Sequence, residues 1–175
     1  MAAASIVPAL LFLAPVSGYS LFLSYNIIIR LQHYESQSEK AAEWSKMAAA
    51  RLHKTRTTQA TGAIAISVSL FTSVALVFPF LRSICMPLAL LNTLALISSR
   101  IHFGGFWNAQ KQTEVPFVEK FNEAVRGSER LCNLLGLLAW GWGVAATAWW
   151  AGLGSVTSML LVGGVAGGVW SSRWV

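Results

Sequence analysis

Hydrophobic positions along this chain fall into long blocks rather than the short alternations of a soluble domain. The first block, Ile6 to Ile29, holds no charge, contains Pro8, Pro15 and Gly18, and is closed by Arg30. A secretory leader would open on basic residues and carry only about 7–15 apolar residues. The block is longer and lacks that start, so it predicts a retained span over about 6–29. Further blocks predict spans over 60–80 and 84–101, with only Leu81, Arg82 and Ser83 between the apolar runs as the tip of a tight hairpin. From Leu131 to Trp170 no charge appears. That stretch is too long for one crossing of about 20 residues. It predicts a fourth span over 131–151 and a short fifth over 154–171, with Gly152 and Gly154 at the turn.

The segments between the blocks are polar and carry helical signals of their own. Ser36-Gln37-Ser38-Glu39 has the form of a capping box. Beyond it Trp44, Ala48, Arg51 and Thr55 share one helical face, on a helix expected to run on into the second span. In the other segment Pro116 suits a helix start and Gly127 a helix end. Between them Phe117, Phe121 and Val125 form an apolar stripe, and Asn122 neighbours Arg126 at i, i+4. The expected architecture is all-α: a single transmembrane domain over 1–175, built as a four-helix bundle with a fifth short C-terminal span. Its two large loops are 30–59 and 102–130.

Composition agrees. Hydrophobic residues make up 55% and charged residues 11% of the chain, with a mean hydropathy of +0.56, where a soluble domain carries about 25% charged residues. No aspartate is present, which removes most metal-carboxylate and phosphoryl-transfer schemes. Cys85 and Cys132 are isolated, without the spacing of a zinc site or a disulfide framework. The net charge of +6 comes with no phosphate-binding glycine loop and no basic stripe interleaved with aromatics, so nucleic acid is not an expected partner. The lipid bilayer is, and self-association into a homo-oligomer stays open.

Charge also sets the expected topology. Lys and Arg concentrate in and beside the two large loops, which places both in the cytosol and the N-terminus across the membrane, with the endoplasmic reticulum the expected membrane. All seven glutamates and all three histidines, His33, His53 and His102, lie in the same two loops. Any chemistry is therefore expected on the cytosolic face. A plain reading makes Arg100 and His102 interfacial anchors, pairs Glu123 with Arg126 at i, i+3, and makes Trp44 a headgroup-level residue. A chemical reading makes His102 a general base beside cations that hold an anion.

The order of these residues resembles a known family. Ser17-Gly18 lies in the first span, Trp44 in the loop after it, TLALISSRIH (93–102) closes the third span, and FNEAVRG (121–127) precedes the fourth. This resembles the anthrone oxygenases, small membrane proteins of fungal polyketide pathways. Trp44, Arg100, Asn122 and Arg126 match that family's motif residues, while Ser98 stands where the family carries asparagine. The resemblance implies a cofactor-independent monooxygenase of secondary metabolism that converts an anthrone to a quinone with O2. On that reading His102, Arg100, Arg126 and Asn122 carry the chemistry, Trp44, Phe103 and Trp107 bind a small apolar aromatic substrate, and no metal or cofactor is needed. These residues are then expected to converge on one pocket. A second resemblance is to the membrane-associated eicosanoid and glutathione transferases, whose third span ends in a motif like RIHFGGFW (100–107). Thr55 and Thr58 stand where that family places its glutathione-binding Asn and Glu. A non-catalytic helical membrane scaffold is the third alternative.

Overall fold

The computed structural model describes residues 7–107 and 119–151. Among them the chain forms four α-helices and one 3-10 turn: α1 (Val7–Trp44), α2 (Lys46–Ala75), the turn Pro79–Ile84, α3 (Cys85–Phe106) and α4 (Glu119–Ala151). Three helical stretches are long and apolar enough to cross a membrane: Val7–Gln32, Lys46–Ala75 and Phe121–Trp150. The third expected span is not among them. Its helix, α3, carries Asn92 in its first half and Ser98, Ser99, Arg100 and His102 in its second, and these lower its apolarity. The expected fifth span, 154–171, and Pro116 lie outside the described residues.

The helices alternate in direction and close into a ring. Each packs on its neighbour in chain order, α4 returns to α1, and the α2–α4 diagonal touches only lightly. The inner faces follow the helical repeat. On α2 the buried set is Thr58, Gln59, Gly62, Ala65, Ile66, Ser69, Thr72 and Ser73; on α3 it is Cys85, Ala89, Asn92, Leu96, Ser99 and Phe103. Spacings of three and four keep such residues on one side of a helix. Leu10, Leu13, Ile27, Ile66, Leu96, Phe103, Leu131, Leu135, Leu138 and Trp142 fill the centre.

Polar residues lock the register. Trp142 Nε1 donates to Ser69 Oγ at 2.8 Å, and Ser69 Oγ shares a 2.9 Å hydrogen bond with Ser17 Oγ. Three helices are tied at one buried point, where an unmade bond would be costly. Close approach does the rest. A Cβ at Gly141 would lie 2.7 Å from Leu13 Cδ2, and one at Gly127 would lie 3.0 Å from Ile27 Cγ1. Gly127 was expected to end a helix. It sits instead inside α4, where α1 presses against the backbone.

The largest departure from the sequence reading is α1, which does not stop at Arg30. It runs 38 residues, about 57 Å at 1.5 Å per residue, close to twice the ~30 Å hydrocarbon core. Ser36–Glu39 lies within α1 rather than at a helix start, and Glu35 and Glu39, one turn apart, both pair across to Arg56 on α2. Those pairs and the helix-forming residues around Ala41 and Ala42 carry the helix onward. The break falls at Ser45, whose backbone is extended and whose Oγ accepts from the Ala48 amide. Resumed at Lys46, α2 runs unbroken into the apolar block, as the pattern of its residues implied. The upper halves of α1 and α2 thus form a helical arm standing beyond the bundle.

Candidate functional site

Where this arm joins the bundle, the side chains enclose a cavity of about 460 Å³. Two of its walls come from the arm: Ile28, Leu31, Gln32 and Glu35 of α1, and Ala48, Arg51, Leu52, Thr55, Arg56, Gln59 and Ala60 of α2. Phe106 and Trp107, at the end of α3, and Phe121 of α4 complete it. Four separate stretches of chain meet here.

The aromatic side is fixed by packing and by one hydrogen bond. Phe106 meets Trp107 edge to face, centroids 5.2 Å apart, and Phe103 lies 6.1 Å from Trp107 beneath it. Such ring pairs hold each other's orientation. Trp107 Nε1 donates to Thr58 Oγ1 at 2.9 Å, and that hydroxyl donates in turn to the Lys54 carbonyl at 2.7 Å. With its N–H satisfied, the indole offers the cavity an apolar surface. Phe103 is itself fully buried, against Gly62 on α2.

Two polar groups stand out in the lining. Gln59 is 4% exposed; its Nε2 donates to Ser128 Oγ at 3.3 Å, while its Oε1 has no partner. A buried acceptor left unmade costs about 1–3 kcal/mol, so Gln59 calls for a donor. Arg51 is exposed at the cavity wall, and its guanidinium has no ion-pair or hydrogen-bond partner among the described residues. Arg56, by contrast, is committed to Glu35 and Glu39. The cavity therefore combines an aromatic face, a neutral acceptor and one available cation. That set suits a flat apolar molecule with hydroxyl or oxyanion groups on its edge.

The residues singled out from sequence are divided by the fold. Trp107 lines the cavity and Phe103 supports it. Trp44 is 90% exposed at the tip of the arm, because the break at Ser45 takes it off the helical face that Ala48, Arg51 and Thr55 do share. Arg100 lies in a different groove, between α3 and α4, and His102 is exposed and lines neither space. Asn122 is half-buried and Arg126 exposed on α4; both hold interactions within the protein, and neither lines the cavity. Glu123 pairs with Arg30 at 3.2 Å instead of with Arg126. The expected convergence of Trp44, Arg100, Asn122 and Arg126 on one pocket is not what the structure has. Antiparallel packing sets Arg100 level with Gly136, well below the turn of α4 that carries Asn122 and Arg126.

Gln59 and Glu35 did not stand out as site residues in the sequence, and Thr58 did so only in the comparison with the glutathione transferases. The available signal was Thr57-Thr58-Gln59, polar residues on the helical face that continues inward through Gly62, Ile66 and Ser69. A direct consequence concerns His102. His102→Ala should bind a hydroxylated tricyclic ligand with wild-type affinity, whereas Phe106→Ala should weaken it several-fold, as read by equilibrium titration in detergent. Weakening by His102→Ala alone would return the site to the end of α3. The chain matches no protein-family model, no curated protein and no solved structure.

Proposed function

We propose that this protein binds a flat, hydroxylated polycyclic aromatic in the cavity at the base of the α1–α2 arm and oxygenates it with O2. The observation that carries the reading is an aromatic-sided cavity whose lining includes Gln59, a buried amide with an unpartnered Oε1. The oxygenation itself rests on the resemblance of TLALISSRIH and FNEAVRG to the anthrone oxygenases. In that chemistry an anthrone CH2 loses a proton to give an aromatic oxyanion. The electron-rich carbon adds O2 to form a hydroperoxide, and loss of water leaves the quinone carbonyl. One O2 is consumed and one H2O released. Phe106, Trp107 and Phe121 would hold the rings, and Gln59 would accept from a phenolic hydroxyl. Arg51 would face the oxyanion, and a cation aimed there can contribute several kcal/mol. Glu35 is the one carboxylate in the lining and would take the proton.

Purified protein in detergent tests this with a hydroxyanthrone and O2 alone. Quinone formation above the protein-free rate, reduced about 10²-fold or more in Glu35→Gln, supports the reading. A rate no higher than the protein-free control would sink it. Strict dependence on glutathione would favour the transferase alternative, and neither binding nor turnover the scaffold.

The membrane arrangement extends the same proposal. With 22 residues, α3 is about 33 Å long, sufficient for the ~30 Å core, and it packs between α2 and α4. Both features favour α3 as a fourth span. The arm, the end of α3 and the start of α4 lie at the same end of the bundle, and eleven of the thirteen Lys and Arg fall within 30–59 and 100–130. The positive-inside rule puts that end in the cytosol, with the endoplasmic reticulum as the membrane. In sealed microsomes protease should cut within 30–59 and 102–130 and spare an N-terminal tag. Protection of either segment would reverse the orientation.

A further inference from the structure

A second concavity, about 740 Å³, opens between α3 and α4 on the side of the bundle away from the arm cavity. Arg100 stands in it, in a position that anchoring at a helix end does not account for. Its guanidinium lies on the backbone of α4 at Gly136: a Cβ there would sit 2.9 Å from Cζ and 3.0 Å from both Nε and Nη1. Glycine at 136 leaves the space that the guanidinium fills. Along α4, Gly136 is six residues past Arg130, about 9 Å, and thirteen past Glu123, about 20 Å, where Arg30 makes its ion pair. From Leu131 to Ala151 α4 carries no charge. The guanidinium therefore lies below the charged end of the bundle, inside its apolar length. Among the described residues it has neither an ion pair nor a hydrogen bond.

A charged residue within a membrane span is costly and is ordinarily paired. The described residues supply no anion, and one from outside the chain would match the charge. The rest of the groove indicates its form. Past Arg100 the lining turns apolar, through Ile97, Ala139, Trp140 and Val144, and ends at Thr93 and Thr147. Gly136 to Thr147 spans eleven residues, about 17 Å, close to half of a ~30 Å hydrocarbon core and so to the depth of one leaflet. The groove is open along its side rather than closed. A cation at the upper end of a leaflet-deep apolar channel is complementary to an acidic headgroup on an acyl chain. A neutral packing helix would leave the charge unmatched.

We propose that the α3–α4 groove is a binding site for one anionic phospholipid, its phosphate on Arg100 and an acyl chain along Ile97, Trp140 and Val144. The site is separate from the arm cavity and does not depend on the oxygenase reading. The guanidinium offers paired N–H donors in a fixed fork, which matches phosphate oxygens. Gly136 holds that fork in place.

Delipidated protein in neutral detergent is the starting point, with phosphatidylglycerol and phosphatidylcholine as probes. Native mass spectrometry counts bound lipid, and thermal unfolding gives an independent readout. Wild type should retain one phosphatidylglycerol in preference to phosphatidylcholine and gain thermal stability from it. Arg100→Gln should bind phosphatidylglycerol about tenfold or more weakly and lose the preference. Gly136→Ala, which keeps the charge and displaces the guanidinium, should weaken binding in the same direction, while Lys54→Gln on the arm should not. Equal retention by wild type and Arg100→Gln would overturn the proposal. So would a wild type that binds phosphatidylglycerol no better than phosphatidylcholine, or one in which a free fatty acid displaces it at equal concentration.

Discussion

Trp142→Ala should destabilise the bundle by about 3–5 kcal/mol, the usual cost of deleting a large buried aromatic. Trp142 is fully buried, and its indole N–H is the donor that ties α4 to Ser69 on α2 and through it to Ser17 on α1. Alanine leaves a cavity and also strips Ser69 of one partner. Trp142→Phe separates these effects, since it keeps most of the ring volume and loses only the donor, at about 1–2 kcal/mol. Denaturant unfolding in detergent, followed by circular dichroism, reads both. Equal losses in the two variants would mean that the hydrogen bond, and not packing, holds the helices in register.

Gln59→Leu should weaken binding of a hydroxylated tricyclic ligand about five- to tenfold, the range for one lost hydrogen bond, and leave the parent hydrocarbon unaffected. Leucine fills most of the volume of the amide but cannot accept a hydrogen bond. The wild type, with an unpartnered Oε1 on a residue that lines the cavity, should prefer the hydroxylated ligand, and the variant should not discriminate. Ser128→Ala is the matched control, because it removes the hydrogen bond to Gln59 Nε2 while keeping the acceptor. Titration of both ligands into the three proteins checks the claim. A variant that keeps the wild-type preference would show that the amide oxygen does not meet the ligand.

The helical character of the chain was legible because it depends on local patterns. Apolar blocks and a three-to-four spacing marked α2 and α4 as helices. What was not legible depends on contacts far apart in sequence. Ser36–Glu39 has the form of a cap, and only the ion pairs from Glu35 and Glu39 to Arg56 explain why the helix continues past it. Gly127 has the form of a helix stop until Ile27 is seen against it. Trp44 shares a helical face with Ala48 and Arg51 on an unbroken helix, and a single extended residue at Ser45 separates them. Arg100, Asn122 and Arg126 are close in motif order. Their heights in the bundle come from the antiparallel register of α3 on α4, which motif order does not encode. The cavity belongs to the same class, since α1, α2, α3 and α4 each bring residues to it. Trp107 was marked by its chemistry, whereas Gln59 was hidden in a polar run that had no assigned purpose.

Photolabelling tests the central claim most directly. A hydroxylated tricyclic aromatic bearing a diazirine would be irradiated with the purified protein, and the labelled residues mapped by mass spectrometry. The account predicts label on the cavity lining, at Ile28, Leu31, Leu52, Phe106 or Phe121, competed away by unlabelled ligand and diminished in Gln59→Leu. Competable label centred on His102, or in the groove beside Ile97 and Trp140, with the cavity unlabelled, would contradict it.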